Sequence, residues 1–161
     1  MKIRIVTDSG SDLSDEEASE LGISIVPLSI RFGEEELIDR VELGADEFYE
    51  RMNNSEDVPQ TAAPSPGAFK TAFEECFEKG AETVICINMS SELSATIQAA
   101  ETGARELGDK DIRIFDSKSV TGGLGTMVLK AAKASQDNHS ADEILTLLND
   151  LRLKTRVYAA I

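Results

Sequence analysis

Hydroxyl side chains are concentrated in two short segments where they could bind a small anion. One segment is Pro59-Gln60-Thr61-Ala62-Ala63-Pro64-Ser65-Pro66-Gly67, and the other is Ser90-Ser91-Glu92-Leu93-Ser94-Ala95-Thr96. Each is expected where a strand ends and a helix begins. Hydroxyl and backbone N–H donors at such a junction can hold an anion without a basic residue. The pattern predicts binding rather than catalysis.

Within these segments, Thr61 and Ser94 are the strongest candidates to contact a ligand. Pro59 and Pro64 keep the segment around Thr61 extended and stiff. Ser90 is expected to cap a helix, which places Ser94 one turn inside, near the positive end of that helix. The ordinary alternatives are a loop threonine without a ligand and a serine bonded to its own helix, and spacing does not choose between them.

Two further segments are candidates to line a site. Asp8-Ser9-Gly10-Ser11 follows the first predicted strand, at the edge where open α/β sheets bind ligands. Asp8 and Ser9 are therefore candidate residues that line the site. Gly122 and Gly123 open a later helix after Ser119 and permit a backbone or an apolar ligand chain to approach closely. Neither segment contains a phosphate-loop or dinucleotide motif, so the nucleotide signal is weak.

Self-contained catalysis and metal binding have little support in the sequence. His139 is the only histidine and lies in a polar turn before a helix. Cys76 and Cys86 lack metal-ligand spacing and are interpreted as buried free thiols. We expect no catalytic residue, no metal and no cofactor other than a bound ligand.

The composition limits the classes of partner that this protein is expected to bind. Thirty acidic residues against sixteen basic ones give a net charge of −14, which disfavours nucleic acid and anionic membranes. No apolar run is long enough to span a bilayer, and the amino terminus alternates like a strand, which favours a cytoplasmic protein without stable membrane insertion. With 161 residues, the chain is expected to form one domain over 1–161.

Strands separated by helices predict an α/β fold, with a mostly parallel sheet and helices on both faces. Predicted strands cover residues 3–7, 23–32, 83–87 and 112–115, with a hairpin arm over 34–38 and a final strand over 155–161. Predicted helices cover residues 14–21, 45–52, 66–79, 90–107, 122–135 and 141–153.

Taken together, these segments resemble the DegV family of FakB-like fatty-acid-binding proteins, which serve a bacterial fatty acid kinase. The matching residues run in order along the chain: Thr7 to Leu13, Pro27-Leu28, Thr61 to Gly67, Ser91 to Ala100, Asp116-Ser117 and Gly122 to Gly125. The resemblance implies a Rossmann-like amino-terminal domain. It also implies a long-chain fatty acid ligand, such as palmitate or oleate, presented to the kinase for acyl phosphate formation.

Carried onto this sequence, the resemblance implies that Thr61 and Ser94 hold the fatty acid carboxylate, with Ala95 and Thr96 lining the pocket. The sequence departs from the family at three positions. Ala62 and Ala63 replace a serine and a glutamine, and Ala95 replaces a glycine. Family members are longer, so we expect that a second domain is absent and that this chain binds fatty acid weakly by itself.

Two other functions fit the sequence. One is an enzyme domain that binds a phosphorylated metabolite or nucleotide across Asp8 to Ser11 and Ser119 to Gly123. The other is an accessory module whose acidic face docks on a basic partner. Acyl chain length, saturation, the kinase interface and the oligomeric state do not follow from the sequence.

Overall fold

Four parallel strands form the central sheet of the protein. The structure is a computed structural model that describes residues 2–55 and 57–158. Across this sheet the strands follow the order β2 (Ser24–Val26), β1 (Ile3–Asp8), β6 (Thr83–Asn88) and β7 (Asp111–Asp116). β1 and β6 are buried along nearly their whole length, as continuous apolar strands covered on both faces should be.

A smaller antiparallel sheet lies beyond the end of β2. It contains β3 (Ser29–Phe32), β4 (Glu35–Ile38) and β5 (Gln60–Ala62), in the order β4, β3, β5. β3 and β4 form the predicted hairpin, and Gly33 adopts the left-handed conformation in its turn with φ of 58°.

The prediction of one extended segment over 23–32 is wrong, because the chain changes sheets inside it. β2 pairs with β1 as far as Val26. Pro27 has no N–H to continue the ladder, and the N–H of Leu28 donates to the Ser9 hydroxyl at 3.0 Å instead. The chain therefore leaves the parallel sheet here and starts the antiparallel one.

Six α-helices connect and cover the strands within the described residues. They are α1 (Asp15–Leu21), α2 (Ala45–Asn54), α3 (Pro66–Glu78), α4 (Thr96–Arg105), α5 (Thr121–Gln136) and α6 (Ala141–Lys154). α1 and α6 begin with capping boxes, Ser14 with Glu17 and Ser140 with Glu143. Pro66 is the first residue of α3, as predicted.

The core has two layers, one on each face of the parallel sheet. Ile5, Ile85 and Ile87 pack with residues of α5 and α6. Val6, Val84 and Cys86 point to the opposite face and pack with Phe69, Phe73 and Ala100 of α3 and α4. Both cysteines are buried and unpaired. The predicted α/β architecture, with helices on both faces, is confirmed.

The predicted helix over 90–107 is wrong at its start. Residues 91–95 form turns, and α4 begins only at Thr96 with Ala95 as its N-cap. Ser90 therefore does not cap α4; its hydroxyl accepts from the N–H of Glu92 at 3.2 Å. The segment cannot continue as a helix because Ser91 is bonded through its N–H and hydroxyl to Asp116, at the end of β7.

The prediction of a final strand over 155–161 is wrong for residues 155–158, the part of this range that the structure describes. The N–H and hydroxyl of Thr155 both donate to the carbonyl of Leu151, each at 2.8 Å, and end α6. Residues 155–158 belong to no strand, and residues 159–161 lie outside the described part of the chain. No helix of the described segments combines the length and apolarity that crossing a bilayer requires.

Candidate ligand-binding site

The carboxyl ends of the parallel strands bring the candidate segments to one edge of the sheet. β1 leads through α1 to β2 on one side, and β6 leads through α4 to β7 on the other. The chain therefore diverges between β1 and β6, the position where open α/β sheets have a ligand-binding crevice. Asp8-Ser9-Gly10 and Ser90 to Thr96 follow the two strands that flank this position.

Asp8 fixes the loops on both sides of the crevice. Its Oδ1 accepts from the N–H of Gly10 at 3.0 Å, and its Oδ2 accepts from Asn88 Nδ2 at 3.0 Å and the N–H of Met89 at 2.9 Å. The side chain is fully buried, and this burial raises the pKa of Asp8 although the three hydrogen bonds act against it. Asp8 thus positions the crevice rather than facing solvent.

Ser9, another predicted lining residue, also has a defined structural contact. It is 5% exposed, and its hydroxyl accepts from the N–H of Leu28. Ser9 therefore fixes the point where the chain passes from β2 to β3.

Asp116 holds the loop after β6 from the other side. It accepts from the N–H of Ser91 at 3.3 Å and the Ser91 hydroxyl at 2.6 Å. The ammonium of Lys118 lies 3.1 Å from Asp116, 3.0 Å from the Ser91 hydroxyl and 3.3 Å from Glu92. Burial raises the pKa of Asp116, but hydrogen bonds from Ser91 and Lys118 outweigh it, so the net pKa lies below the ordinary value.

The prediction that Ser94 lies one turn inside a helix is wrong, because Ser94 lies two residues before the start of α4. It accepts from the N–H of Thr96 at 3.2 Å, and its Oγ lies 2.8 Å from Thr96 Oγ1. Thr96 is fully buried, whereas Ser94 is half-buried. If the Thr96 hydroxyl donates to Ser94, the Ser94 O–H is left to donate to a ligand oxygen. Ala95 beside it is exposed.

Thr61 lies on β5 rather than in the predicted loop. It pairs with Ile30 of β3, and its side chain is exposed. The stiffness inferred from the flanking prolines is therefore supplied largely by strand pairing. A hydroxyl on a paired strand loses little freedom when it binds a ligand.

The packing of α3 against α4 relates the two segments that contain Thr61 and Ser94. Both helices begin at the carboxyl edge. A Cβ on Gly103 of α4 would lie 2.5 Å from the carbonyl oxygen of Pro66, the first residue of α3. Seven residues of α4 precede Gly103, and each adds ~1.5 Å to the length of the helix. α4 therefore begins about 10 Å beyond the start of α3. Thr61 lies five residues before α3 and Ser94 two residues before α4, so both hydroxyls belong to the segments that lead into these packed helices.

Gly122 and Gly123 lie in the first turn of α5 and have different surroundings. A Cβ on Gly122 would meet nothing within 4 Å, whereas one on Gly123 would clash with Ser119 Oγ. The close neighbour of Gly123 is thus a side chain, and the predicted approach of a ligand chain to Gly122 and Gly123 stays a prediction. Close approach of the backbone requires a glycine at Gly125, where a Cβ would lie 2.5 Å from the carbonyl oxygen of Ser11.

Sequence reasoning missed two residues that hold the site, Asn88 and Lys118. Neither belongs to a recognisable pattern, and Asp8 and Glu92, which they contact, are distant from them in sequence, although Lys118 also pairs with the nearby Asp116. Only the strand order brings them together. Within the ranges that the structure describes, no three histidine, cysteine or acidic side chains are grouped to hold a metal ion.

The fold is that of an α/β domain with a candidate ligand-binding edge, and comparison with known proteins places it in a family. A family model described as uncharacterised protein, DegV family, matches residues 2–161. A DegV domain-containing protein of Halalkalibacterium halodurans is 36% identical over 154 residues, which are 96% of this chain and 54% of that protein. This chain belongs to the DegV family. It spans about half the length of the curated relatives it matches.

Solved structures show the same fold. A DegV family protein from Thermus thermophilus, described by its fatty acid binding, is 31% identical with a TM-score of 0.87, covering 95% of this chain and 54% of that one. The fatty acid kinase B3 protein of Streptococcus pneumoniae, loaded with linoleic acid, is 24% identical with a TM-score of 0.80, covering 95% and 55%. The latter similarity supports the fold alone.

Proposed function

We propose that this protein binds a long-chain fatty acid whose carboxylate accepts hydrogen bonds from the Thr61 and Ser94 hydroxyls. The observation that supports the proposal is that both hydroxyls lie in the segments that lead into two packed helices, α3 and α4, in a family with fatty-acid-binding members. Thr61 is fixed by strand pairing and Ser94 by its contact with Thr96. No cofactor is required, because binding and presentation involve no chemistry within this protein.

Binding strength should come mainly from the acyl chain. Burial of each methylene contributes about 0.8 kcal/mol, so a chain as long as palmitate or oleate offers ample affinity when it is enclosed. The carboxylate loses water on binding, and the two hydroxyls and the N–H groups before α4 must replace it. The head group therefore sets the orientation of the ligand.

The bound carboxylate would face a fatty acid kinase, which would phosphorylate it to acyl phosphate. In this role the protein is a carrier rather than an enzyme. The two acidic side chains that end β1 and β7 at the carboxyl edge are engaged in structural contacts. Asp8 is already committed to three donors, and Asp116 is paired with Lys118. The kinase partner is inferred from the resemblance to the proteins that serve such kinases.

The test is a titration of the 15N-labelled chain with decanoate, which is soluble enough to reveal weak binding. We expect saturable amide shifts at Thr61, Ser94 and Thr96 in the wild type, and their loss when Thr61→Val is combined with Ser94→Ala. The matched control makes the same changes at exposed positions, Thr71→Val with Ser19→Ala, and should behave like the wild type.

Unchanged shifts in the Thr61→Val, Ser94→Ala variant would contradict the assignment of these two residues. The kinase role has a separate test, in which a fatty acid kinase and a full-length protein carrying this domain produce acyl phosphate. Production at an unchanged rate by the double variant would count against carboxylate presentation by Thr61 and Ser94.

A further inference from the structure

We infer that the amino-terminal end of α5 is a second anion-binding site, which takes a tetrahedral phosphate-type group. It is formed by the backbone N–H groups of residues 121–123 and the hydroxyl of Ser119. This site is separate from Thr61 and Ser94, and the inference does not rest on the proposed fatty acid binding.

The first turn of α5 presents N–H donors that no side chain of the described residues satisfies. Its N-cap is Val120, which makes no side-chain cap bond, and the first turn contains no acidic residue. Thr121 has φ of 52°, in the left-handed region, and Gly122 follows it in the helix. A left-handed residue followed by a right-handed one turns successive N–H groups toward a common point, which is an anion-binding arrangement. The helix dipole adds positive potential there.

An enclosed hydroxyl without a partner lies against the same turn. Ser119 is 2% exposed, and its Oγ has no hydrogen-bond partner among the described residues. This oxygen occupies the space into which a Cβ on Gly123 would project. A buried hydroxyl without a partner is costly, and an anion at the helix end could accept its hydrogen bond. Because Ser119 Oγ has no bond to break, turning toward a ligand requires only a rotamer change.

A second enclosed hydroxyl lies nearby along α5. Ser11 is 1% exposed, and its Oγ also lacks a partner within the described ranges. Its carbonyl oxygen is 2.5 Å from the position of a Cβ on Gly125. Ser119 and Ser11, whose hydroxyls lack partners among the described residues, therefore both pack against the first turns of α5.

The end of α5 is also open to a ligand. Gly122 is exposed, and nothing lies within 4 Å of the direction in which its side chain would point. The nearest basic side chain in sequence, Lys118, is engaged by Asp116 and Glu92. Binding must therefore depend on N–H and hydroxyl donors, which favours a compact anion with several acceptor oxygens, such as phosphate.

The site can be tested with inorganic phosphate and the 15N-labelled chain, with chloride at matched ionic strength as reference. We expect saturable shifts of the Gly122, Gly123 and Leu124 amides in the millimolar range. Gly122→Asp should abolish them, because its negative charge repels a phosphate anion at the helix end. Gly122→Asn has nearly the same shape without the charge and should retain them. Ser119→Ala should weaken binding several-fold.

A comparison of hexyl phosphate with inorganic phosphate distinguishes the two possible sources of the phosphate group. Hexyl phosphate binding at least tenfold tighter than inorganic phosphate would support the site as one for an acyl phosphate product. Equal affinities would support a site for free phosphate. Absence of saturable shifts at residues 122–124 in the wild type, or equal shifts in Gly122→Asp and Gly122→Asn, would overturn the inference. Neither outcome depends on whether decanoate binds at Thr61 and Ser94.

Discussion

At the scale of single residues, buried carboxylates organise the carboxyl edge of the sheet. Asp8→Ala should lower the free energy of unfolding by about 2 to 4 kcal/mol, because it removes the acceptor for three donors, two of them backbone N–H groups. Urea denaturation followed by circular dichroism measures this loss. The exposed Asp109→Ala should change stability by less than about 0.5 kcal/mol. A loss below about 1 kcal/mol for Asp8→Ala would show that other contacts hold the loops.

Asp116 should make stability depend on pH in acid. Its pKa in the folded protein lies below the unfolded value, so its ionised form stabilises the fold above about pH 4. This contribution is lost as pH falls through the lowered folded pKa. Asp116→Asn should therefore be less stable than the wild type at pH 7, and the difference should shrink below about pH 4.

The measurement for Asp116 is the urea midpoint of the wild type and Asp116→Asn at a series of pH values. Asp150→Asn, on the exposed side of α6, serves as the control and should follow the wild type. A difference between Asp116→Asn and the wild type that stays constant from pH 7 to about pH 3 would contradict this account.

Residue types were sufficient to predict candidates, but not their surroundings. Thr61 and Ser94 were selected because hydroxyls near a helix start can hold an anion. The contact that holds the loop containing Ser94 could not be predicted, because its partners Asp116 and Ser91 follow different strands. The surroundings of Ser119 could not be predicted either, because only the folded structure shows that its hydroxyl is enclosed without a partner among the described residues.

At the scale of elements, close approach of α3 and α4 positions the proposed carboxylate site. Gly103→Ala should destabilise the protein by about 1 to 3 kcal/mol, because its Cβ would lie 2.5 Å from the carbonyl oxygen of Pro66 and 3.0 Å from the N–H nitrogen of Lys70. The same substitution at Gly122 meets open space and should be neutral or stabilising by up to about 1 kcal/mol.

Thermal and urea unfolding of the Gly103→Ala and Gly122→Ala variants measure this contrast. Gly103→Ala should also shift the amide signals of Thr61 and Ser94, since it moves the two helices apart at the site. Equal stability of the two variants would show that α3 and α4 adapt without cost.

The type of most elements followed from the sequence, whereas strand β5, the conformation of residues 155–158 and two boundaries did not. Capping residues and Pro66 fixed the starts of α1, α3 and α6. The break at Pro27 was missed because the apolar pattern continues across it, and only the partner strands differ. The start of α4 was missed because Ser90 fits an N-cap, but tertiary bonds to Asp116 hold the following residues in turns.

At the scale of the whole molecule, alternating apolar strands and helices were enough to predict the layered α/β fold. The net charge of −14 adds a condition for the proposed function. The negative potential of the protein repels a fatty acid anion. The carboxylate must therefore be held by local donors, and the binding affinity must come from the buried acyl chain. How well this chain encloses an acyl group therefore decides its affinity.

We expect much of such a ligand to remain in water, because the described residues around the proposed site are exposed. Thr61 and Ala62 are exposed, and Leu93 is 64% exposed. Calorimetric titration of this 161-residue chain with palmitate or oleate should therefore show an affinity weaker than micromolar, while circular dichroism shows the intact fold. Each methylene left exposed forfeits about 0.8 kcal/mol, so five of them weaken binding by roughly a thousandfold. Submicromolar affinity would mean that these residues alone enclose the chain, and that the exposed Leu93 becomes covered on binding.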